Sequence, residues 1–192
     1  MQQAQLIVDA ARRLVVTGAT FTTQELAKEA GLALKTFYRY FVGKDQLLLA
    51  VLEDIISESC RNYEEQARHL PDPLARLRSY ITTALRSVCL GADLDPGSRF
   101  ISTEHWRLHQ IYPEELAQAT KPFTDLLLRD IHAAAEAGLI RPDDPDNDAW
   151  LINQLVVAVF HHYTFAPSDE SSEEIGDRLW SFCLAALGGR EE

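Results

Sequence analysis

Strand signal is almost absent from this 192-residue chain, and so is any run of 18 apolar residues. The first absence points to an all-α protein, and the second leaves no segment that reads as a membrane span. Cysteine is scarce: Cys60, Cys89 and Cys183 are odd in number, widely spaced and set in apolar helical stretches. That pattern suits reduced core thiols better than a disulfide framework. There is no glycine-rich phosphate loop, no nucleophile elbow and no cysteine cluster, so we expect neither an enzyme nor a cofactor. Asp9, Arg12 and Arg13 interrupt the first apolar stretch, which speaks against a signal peptide, and a cytoplasmic location is expected.

Basic side chains are also few. The chain has 18 Lys and Arg against 29 Asp and Glu, a formal net charge of −11. An acidic protein is ordinarily a poor partner for nucleic acid, because phosphate neutralisation supplies most non-specific affinity. The whole-chain value hides an asymmetry. Residues 1–50 carry six basic and four acidic side chains, net +2, and the remaining 142 carry net −13. A negative body can repel DNA from every face except a small basic one.

That basic segment has a recognisable layout. Thr22-Thr23-Gln24-Glu25 spells a capping box at the start of a helix barely two turns long, with Leu26, Ala27 and Ala30 on its apolar face. Gly31 stops it and permits a tight turn. A second short helix is expected from Ala33 to Tyr40. Phe37 and Phe41 face inward with Leu32, and Lys35, Thr36 and Arg39 point out with Tyr38 and Tyr40 at the edge. Outward Lys, Thr, Tyr and Arg on so short a helix suit phosphates and base edges, as in a helix-turn-helix DNA reader.

The rest of the chain reads as further helices, about nine in all. The first carries Leu6, Ile7, Ala10, Ala11, Leu14 and Val15 at helical spacing and ends at Gly18. Lys44-Asp45 opens a long helix reaching Ala67, and Pro71 and Pro73 break the chain after it. Leu74 to Val88 marks a helix ending near Gly91, and Gly91 to Ser98 reads as a loop. Phe100 to Ile111 suits a helix stopped by Pro113, which itself begins another that continues to Gly138. Two apolar helices close the chain, roughly 146–165 and 170–187. The domains expected are 1–46, a DNA-binding head, and 47–192, a helical ligand-binding and dimerisation body.

The order of these features resembles the TetR family of bacterial transcriptional regulators. The resemblance is carried by DAARRL at 9–14, Gly18, FTTQELAKEAG at 21–31, TFYRYF at 36–41 and GKDQLL at 43–48. Beyond residue 52 it is architectural, through helical segments and the AGLIRPD element at 137–143. It implies a dimeric repressor, released from a palindromic double-stranded DNA operator by a small-molecule inducer. It also implies DNA contacts at Thr22 and Thr23 on a phosphate, and at Leu34, Lys35, Thr36 and Arg39 toward the major groove. Tyr38, Tyr40 and Lys44 match positions that brace phosphates. Ala33 departs from the pattern, standing where a serine often caps the recognition helix, and Leu34 stands where a polar reader is common. A protein-binding adaptor that kept the fold and lost DNA is the alternative, and Thr36, Arg39 and Lys44 argue against it.

The second half adds two expectations. Residues 150–160 are apolar nearly all round the helix, and Ile175, Leu179, Phe182, Cys183 and Ala186 form a stripe on the last one. Paired with their copies, these two helices would make a two-fold four-helix interface. Aromatic and imidazole groups gather in the inward segments, and Phe100, His105, Trp106, Phe123, Leu127, Trp150 and His161 are the candidate walls of an apolar pocket. His105 and His109 have a spacing that can hold zinc, but no third ligand is apparent, and adjacent His161 and His162 point about 100° apart on a helix. No metal is expected.

Overall fold

The computed structural model describes residues 2–18, 20–86, 96–166 and 169–190. Among them are nine α-helices and no strand. They are α1 (Gln2–Val16), α2 (Thr23–Glu29), α3 (Leu34–Tyr40), α4 (Lys44–Ala67), α5 (Pro73–Arg86), α6 (Pro96–Ile111), α7 (Pro113–Glu136), α8 (Pro145–Phe165) and α9 (Ser172–Ala186). The chain forms two compact units, Met1–Ile56 with Pro96–Thr120, and Ser57–Asp95 with Lys121–Glu192.

The first unit is built on α1 to α3, the start of α4, and α6 with the first turns of α7. Its core joins Ile7, Ala10 and Ala11 of α1 to Leu26, Phe37, Leu47, Leu48, Val51 and, from α6, Leu108. Leu6, expected on the apolar stripe of α1, is instead largely exposed, because the buried arc centres on Ile7 and Ala11. Gly18 ends α1 at φ +68°, and a Cβ there would lie 2.7 Å from Cβ of Pro96. Glycine is therefore required twice over, by conformation and by contact. Arg107 of α6 donates to Asp45 in the first turn of α4 at 2.6 Å and pairs with Glu104 at 2.8 Å. Arg12 and Asp54 pair at 2.6 Å, and Arg13 with Glu29 at 3.2 Å.

Pro96 and Gly97 were expected in a loop, but they open α6. Proline is well suited to a first helical position, where its missing N–H costs nothing. Positions 91–95, Val88 and Cys89 lie outside the described residues.

The second unit packs α5 against α9 and α8. Gly176 of α9 sits where a Cβ would be 3.2 Å from Thr82, so its missing side chain lets the two helices approach closely. Asp144 and Ser171 cap α8 and α9, the latter in a full capping box with Glu174. The buried stripe of α9 is Ile175, Leu179, Trp180, Cys183 and Leu184. Of the stripe expected to meet a partner copy, Ile175, Leu179 and Cys183 are buried within the chain, while Phe182 and Ala186 are exposed. Cys60 and Cys183 are buried free thiols, and burial pushes them up to about 12 and about 11, which keeps them protonated.

Among the described residues of this unit one carboxylate is buried. Asp130 is 2% exposed and accepts from Arg76 Nε at 2.9 Å, Arg76 Nη2 at 2.6 Å, the Tyr80 hydroxyl at 2.9 Å and Arg129 at 3.2 Å. Arg129 also pairs with Glu64. Burial, then the neighbouring Asp130, pushes the Tyr80 phenol up to about 12, so it remains a donor. A buried charge is tolerable only when its lone pairs are satisfied, and here all the donors converge. Asp130→Ala should therefore cost about 3–5 kcal/mol, by leaving Arg76 and Tyr80 without their acceptor. Tyr80→Phe, which leaves the arginines in place, should cost about 1–3 kcal/mol. Urea unfolding followed by circular dichroism measures both, and equal losses would show that the arginine bonds contribute nothing.

Candidate nucleic-acid interface

The interface candidate begins at the Thr22 cap. The Thr22 amide donates to Glu25 Oε2 at 2.8 Å, and the Glu25 amide donates back to Thr22 Oγ1 at 3.2 Å. The Thr22 amide, then its hydroxyl, hold the Glu25 carboxyl below its usual range. The C-terminal end of α2 is closed as firmly. Gly31 adopts φ +66°, its amide donates to Lys28 O, and Leu32 N–H donates to Ala27 O. This is a Schellman closure, and its left-handed residue explains why glycine ends α2.

The next helix, α3, has no such help at its start. Ala33 sits in extended geometry at the cap position with no side-chain hydrogen bond. The helix is held from beneath: Phe37 is 0% exposed, with Tyr38 edge-on at 5.1 Å and Phe41 at 5.9 Å between ring centroids. Fixing Phe37 inward leaves Lys35, Tyr38 and Arg39 exposed and Leu34, Thr36 and Tyr40 half-buried.

Two small clusters result. At one, Thr23 Oγ1 lies 3.5 Å from the Tyr38 hydroxyl, linking the start of α2 to the outer face of α3. Lys44 donates to Phe21 O at 2.9 Å, with its ammonium 4.3 Å from the Phe21 ring centroid, one residue before the Thr22 cap. At the other, Arg39 donates to the Tyr40 hydroxyl at 3.1 Å and to Gln3 Oε1, and Tyr40 donates to the same oxygen at 3.3 Å. Gln3 was missed by sequence reasoning, because a lone glutamine in the first turn of α1 carries no periodic or motif signal. Lys28 and Lys35 have no ion-pair partner among the described residues. The arrangement offers hydroxyls, helix-start amides and cations on one short, rigid frame, which is the chemistry that receives phosphates.

The pocket candidates fall in both units. In the first unit, Phe100 and His105 are half-buried, whereas Trp106 is 61% exposed and stacked on His109 at 6.2 Å. Ser102, which no sequence signal singled out, has a buried hydroxyl with no hydrogen-bond partner among the described residues. In the second unit, Leu127 is fully buried and Phe123 meets Tyr63 edge-on at 6.1 Å. Burial lowers the His161 imidazole, and Trp150 is 52% exposed. The described residues contain no group of three or more His, Cys, Asp or Glu placed to hold a metal ion. No helix among them is long and apolar enough to cross a membrane.

Residues 7–51 match the sequence profile of the bacterial regulatory proteins of the tetR family. A search of curated proteins by sequence finds no significant match. Solved structures are similar over nearly the whole chain. RolR in complex with resorcinol is 19% identical, covering 98% of this chain and 89% of that one, with a TM-score of 0.72. The fatty acid degradation regulator FadR from Bacillus halodurans is 17% identical over 98% and 97%, with a TM-score of 0.74. Thermus thermophilus FadR, a TetR-family transcriptional repressor bound to lauroyl-CoA, is 17% identical over 98% and 97%, with a TM-score of 0.76. At such identities the likeness speaks for the fold. Residues 7–51 thus carry the profile of the tetR family of bacterial regulatory proteins, and the all-helical fold of the chain is that of the solved structures of RolR and FadR.

Proposed function

We propose that the chain is a homodimeric repressor that binds a palindromic double-stranded DNA operator and leaves it when a small apolar or aromatic molecule binds. The observation that carries the DNA reading is the outer face of α3. Phe37 is sealed beneath it, and Lys35, Tyr38 and Arg39 stand exposed above. In the proposal Arg39, Lys35 and Thr36 reach the major groove with Leu34 beside a thymine methyl. Thr22, Thr23, Tyr38, Tyr40 and Lys44 fix the phosphates. The functional division proposed is 1–46 for DNA and 47–192 for ligand and partner, in a protein acting in the cytoplasm.

Support for the dimer lies in the second unit. Trp150, Leu151 and Phe165 of α8 and Phe182 of α9 are all exposed, an apolar surface open to a partner. A second copy covering both helices buries it and spaces two reading helices for successive major grooves. Support for the ligand comes from the neighbours, which bind resorcinol and lauroyl-CoA, molecules with an apolar or aromatic body. Phe123, Leu127 and His161 are the proposed apolar wall in the second unit, with Trp150 at its edge. Phe100, His105 and Trp106 are the candidates on α6. Release would travel through α4, a single helix whose residues 44–56 belong to the first unit and 57–67 to the second.

Two measurements test this reading. A duplex selected from random sequence should bind tightly, with affinity falling steeply as salt rises. Arg39→Ala should weaken binding by about 1–3 kcal/mol and relax preference at one base pair, and Lys35→Ala should do likewise at another, with the fold intact. Absence of any preferred duplex at low salt would favour the adaptor. Sedimentation should give twice the chain mass of 21.6 kDa at micromolar concentration. Phe182→Asp should bring it to one, and a wild-type monomer would defeat the palindrome reading.

A further inference from the structure

The second unit holds ten Lys and Arg against twenty Asp and Glu, so a cation there has many acidic partners to choose from. Six of the ten take one: Arg68, Arg76, Arg78, Lys121, Arg129 and Arg178 are all ion-paired. Among the described residues the remaining four, Arg61, Arg86, Arg141 and Arg190, have no such pair. Three of those four line a single cleft of about 1250 Å³ beside α5 and α9. Arg141 is the clearest case, because Asp143, Asp144, Asp146 and Asp148 follow it closely in the chain and none neutralises it.

The cleft has an apolar side as well. Trp180 and Leu184 of α9 line it, together with Leu70, Leu74 and Leu139. Two of its three acids are already occupied. Asp177 pairs with Arg78 at 2.8 Å, and Asp72 accepts the Leu74 amide at 3.0 Å, leaving Glu173. Arg141 lies beside Gly188, whose φ of +71° turns the chain after α9 and whose Cβ position is 3.7 Å from Arg141 Cβ, and Arg190, two residues on, lines the same cleft. None of the seven candidate pocket residues lines this cleft, so it is a different place.

We propose that the cleft binds an organic anion with an apolar body, a carboxylate or a phosphate ester. Arg141 and Arg190 take its head group, Arg86 adds positive potential, and the body lies on Trp180 and Leu184. Guanidinium groups suit both head groups because their planar fork donates two parallel hydrogen bonds to either. The proposal stands apart from the DNA reading, since it requires neither an operator nor a dimer.

Decanoate and decyl phosphate, each below its micelle concentration, can be titrated into the full chain by calorimetry, with decanol as the neutral control. The expected result is saturable binding of both anions, one per chain, weakening with salt, and little binding of decanol. Arg141→Ala combined with Arg190→Ala should weaken binding at least about tenfold, the scale of one lost charge-assisted hydrogen bond. The Arg141 amide still donates to Leu187 O in that variant, so the local backbone bond is kept. Arg61→Ala, equally unpaired but outside the cleft, should change nothing. The proposal is overturned by no binding at millimolar anion, by decanol binding as well, or by Arg61→Ala matching the double variant. A hexaglutamate peptide that binds more tightly than decyl phosphate would overturn it in favour of a protein partner. A loss of dimer mass in the double variant would overturn it in favour of an interface between copies.

Discussion

A helix of seven residues does not hold itself together in water, where isolated helices shorter than about 12–15 residues are marginal. This constraint governs α3, and with it everything the proposed interface can do. Ala33 gives it no side-chain cap, which forgoes about 1 kcal/mol. Burial of Phe37, fully enclosed, contributes roughly 1.5–3 kcal/mol, and Phe41 adds to it. Packing therefore outweighs the missing cap. Because the anchor is a buried ring rather than a terminal hydrogen bond, it fixes the rotation of α3 as well as its existence. The exposure of Lys35, Tyr38 and Arg39 is a consequence of where Phe37 points.

The electrostatic design follows from the same economy. The first unit carries eight basic and nine acidic side chains, close to neutral, and the second is strongly negative. A potential of that shape disfavours approach of a polyanion to the acidic surface without any specific contact. Inside the second unit the charge is disciplined by pairing. Asp130 is surrounded by arginine and tyrosine donors, while the exposed pairs such as Arg78 with Asp177 contribute little to stability. Arginines left out of this pairing are consequently informative in a way that paired ones are not.

Much of the fold was legible because its signals are local. The capping box at Thr22 and Glu25, the glycine after α2 and the Phe37–Phe41 spacing each name a backbone conformation within a few residues, and the structure contains all three. Among the prolines, Pro113 opens α7 as expected, and Pro96 departs from expectation. Pro96 looked like a loop residue because proline interrupts most patterns, yet at a first helical turn its constraint is favourable. On α9, consecutive apolar residues at 182, 183 and 184 leave the phase of a 3.6-residue repeat ambiguous, so the pattern does not separate buried Cys183 and Leu184 from exposed Phe182. Pairings between distant residues left no trace at all. Nothing about Gln3 and Arg39, Arg76 and Asp130, or Arg107 and Asp45 can be seen without the fold, because charge and amide partners are set by geometry rather than by period. The seven pocket candidates rest on bulk and position along the chain, and neither distinguishes a buried side chain such as Leu127 from an exposed ring such as Trp106.

The Arg107–Asp45 pair has a wider meaning for the head. Residues 96–120 enter the chain long after α3, yet they belong to the same compact unit. Two kinds of contact hold them there. Pro96 is pressed against Gly18 at the end of α1, and Arg107 binds the first turn of α4 beside Lys44. The first fixes where α6 begins, and the second fixes the helix that carries Lys44 to Phe21 and the α2 cap. The proposed DNA-reading head is therefore not a free three-helix module. Its geometry includes α6 as a fourth side, and a shift of α6 by even a fraction of a turn would move Asp45 or break its bond to Arg107. The boundary proposed at residue 46 groups the side chains proposed to meet DNA, whereas the packing boundary describes which side chains hold them still.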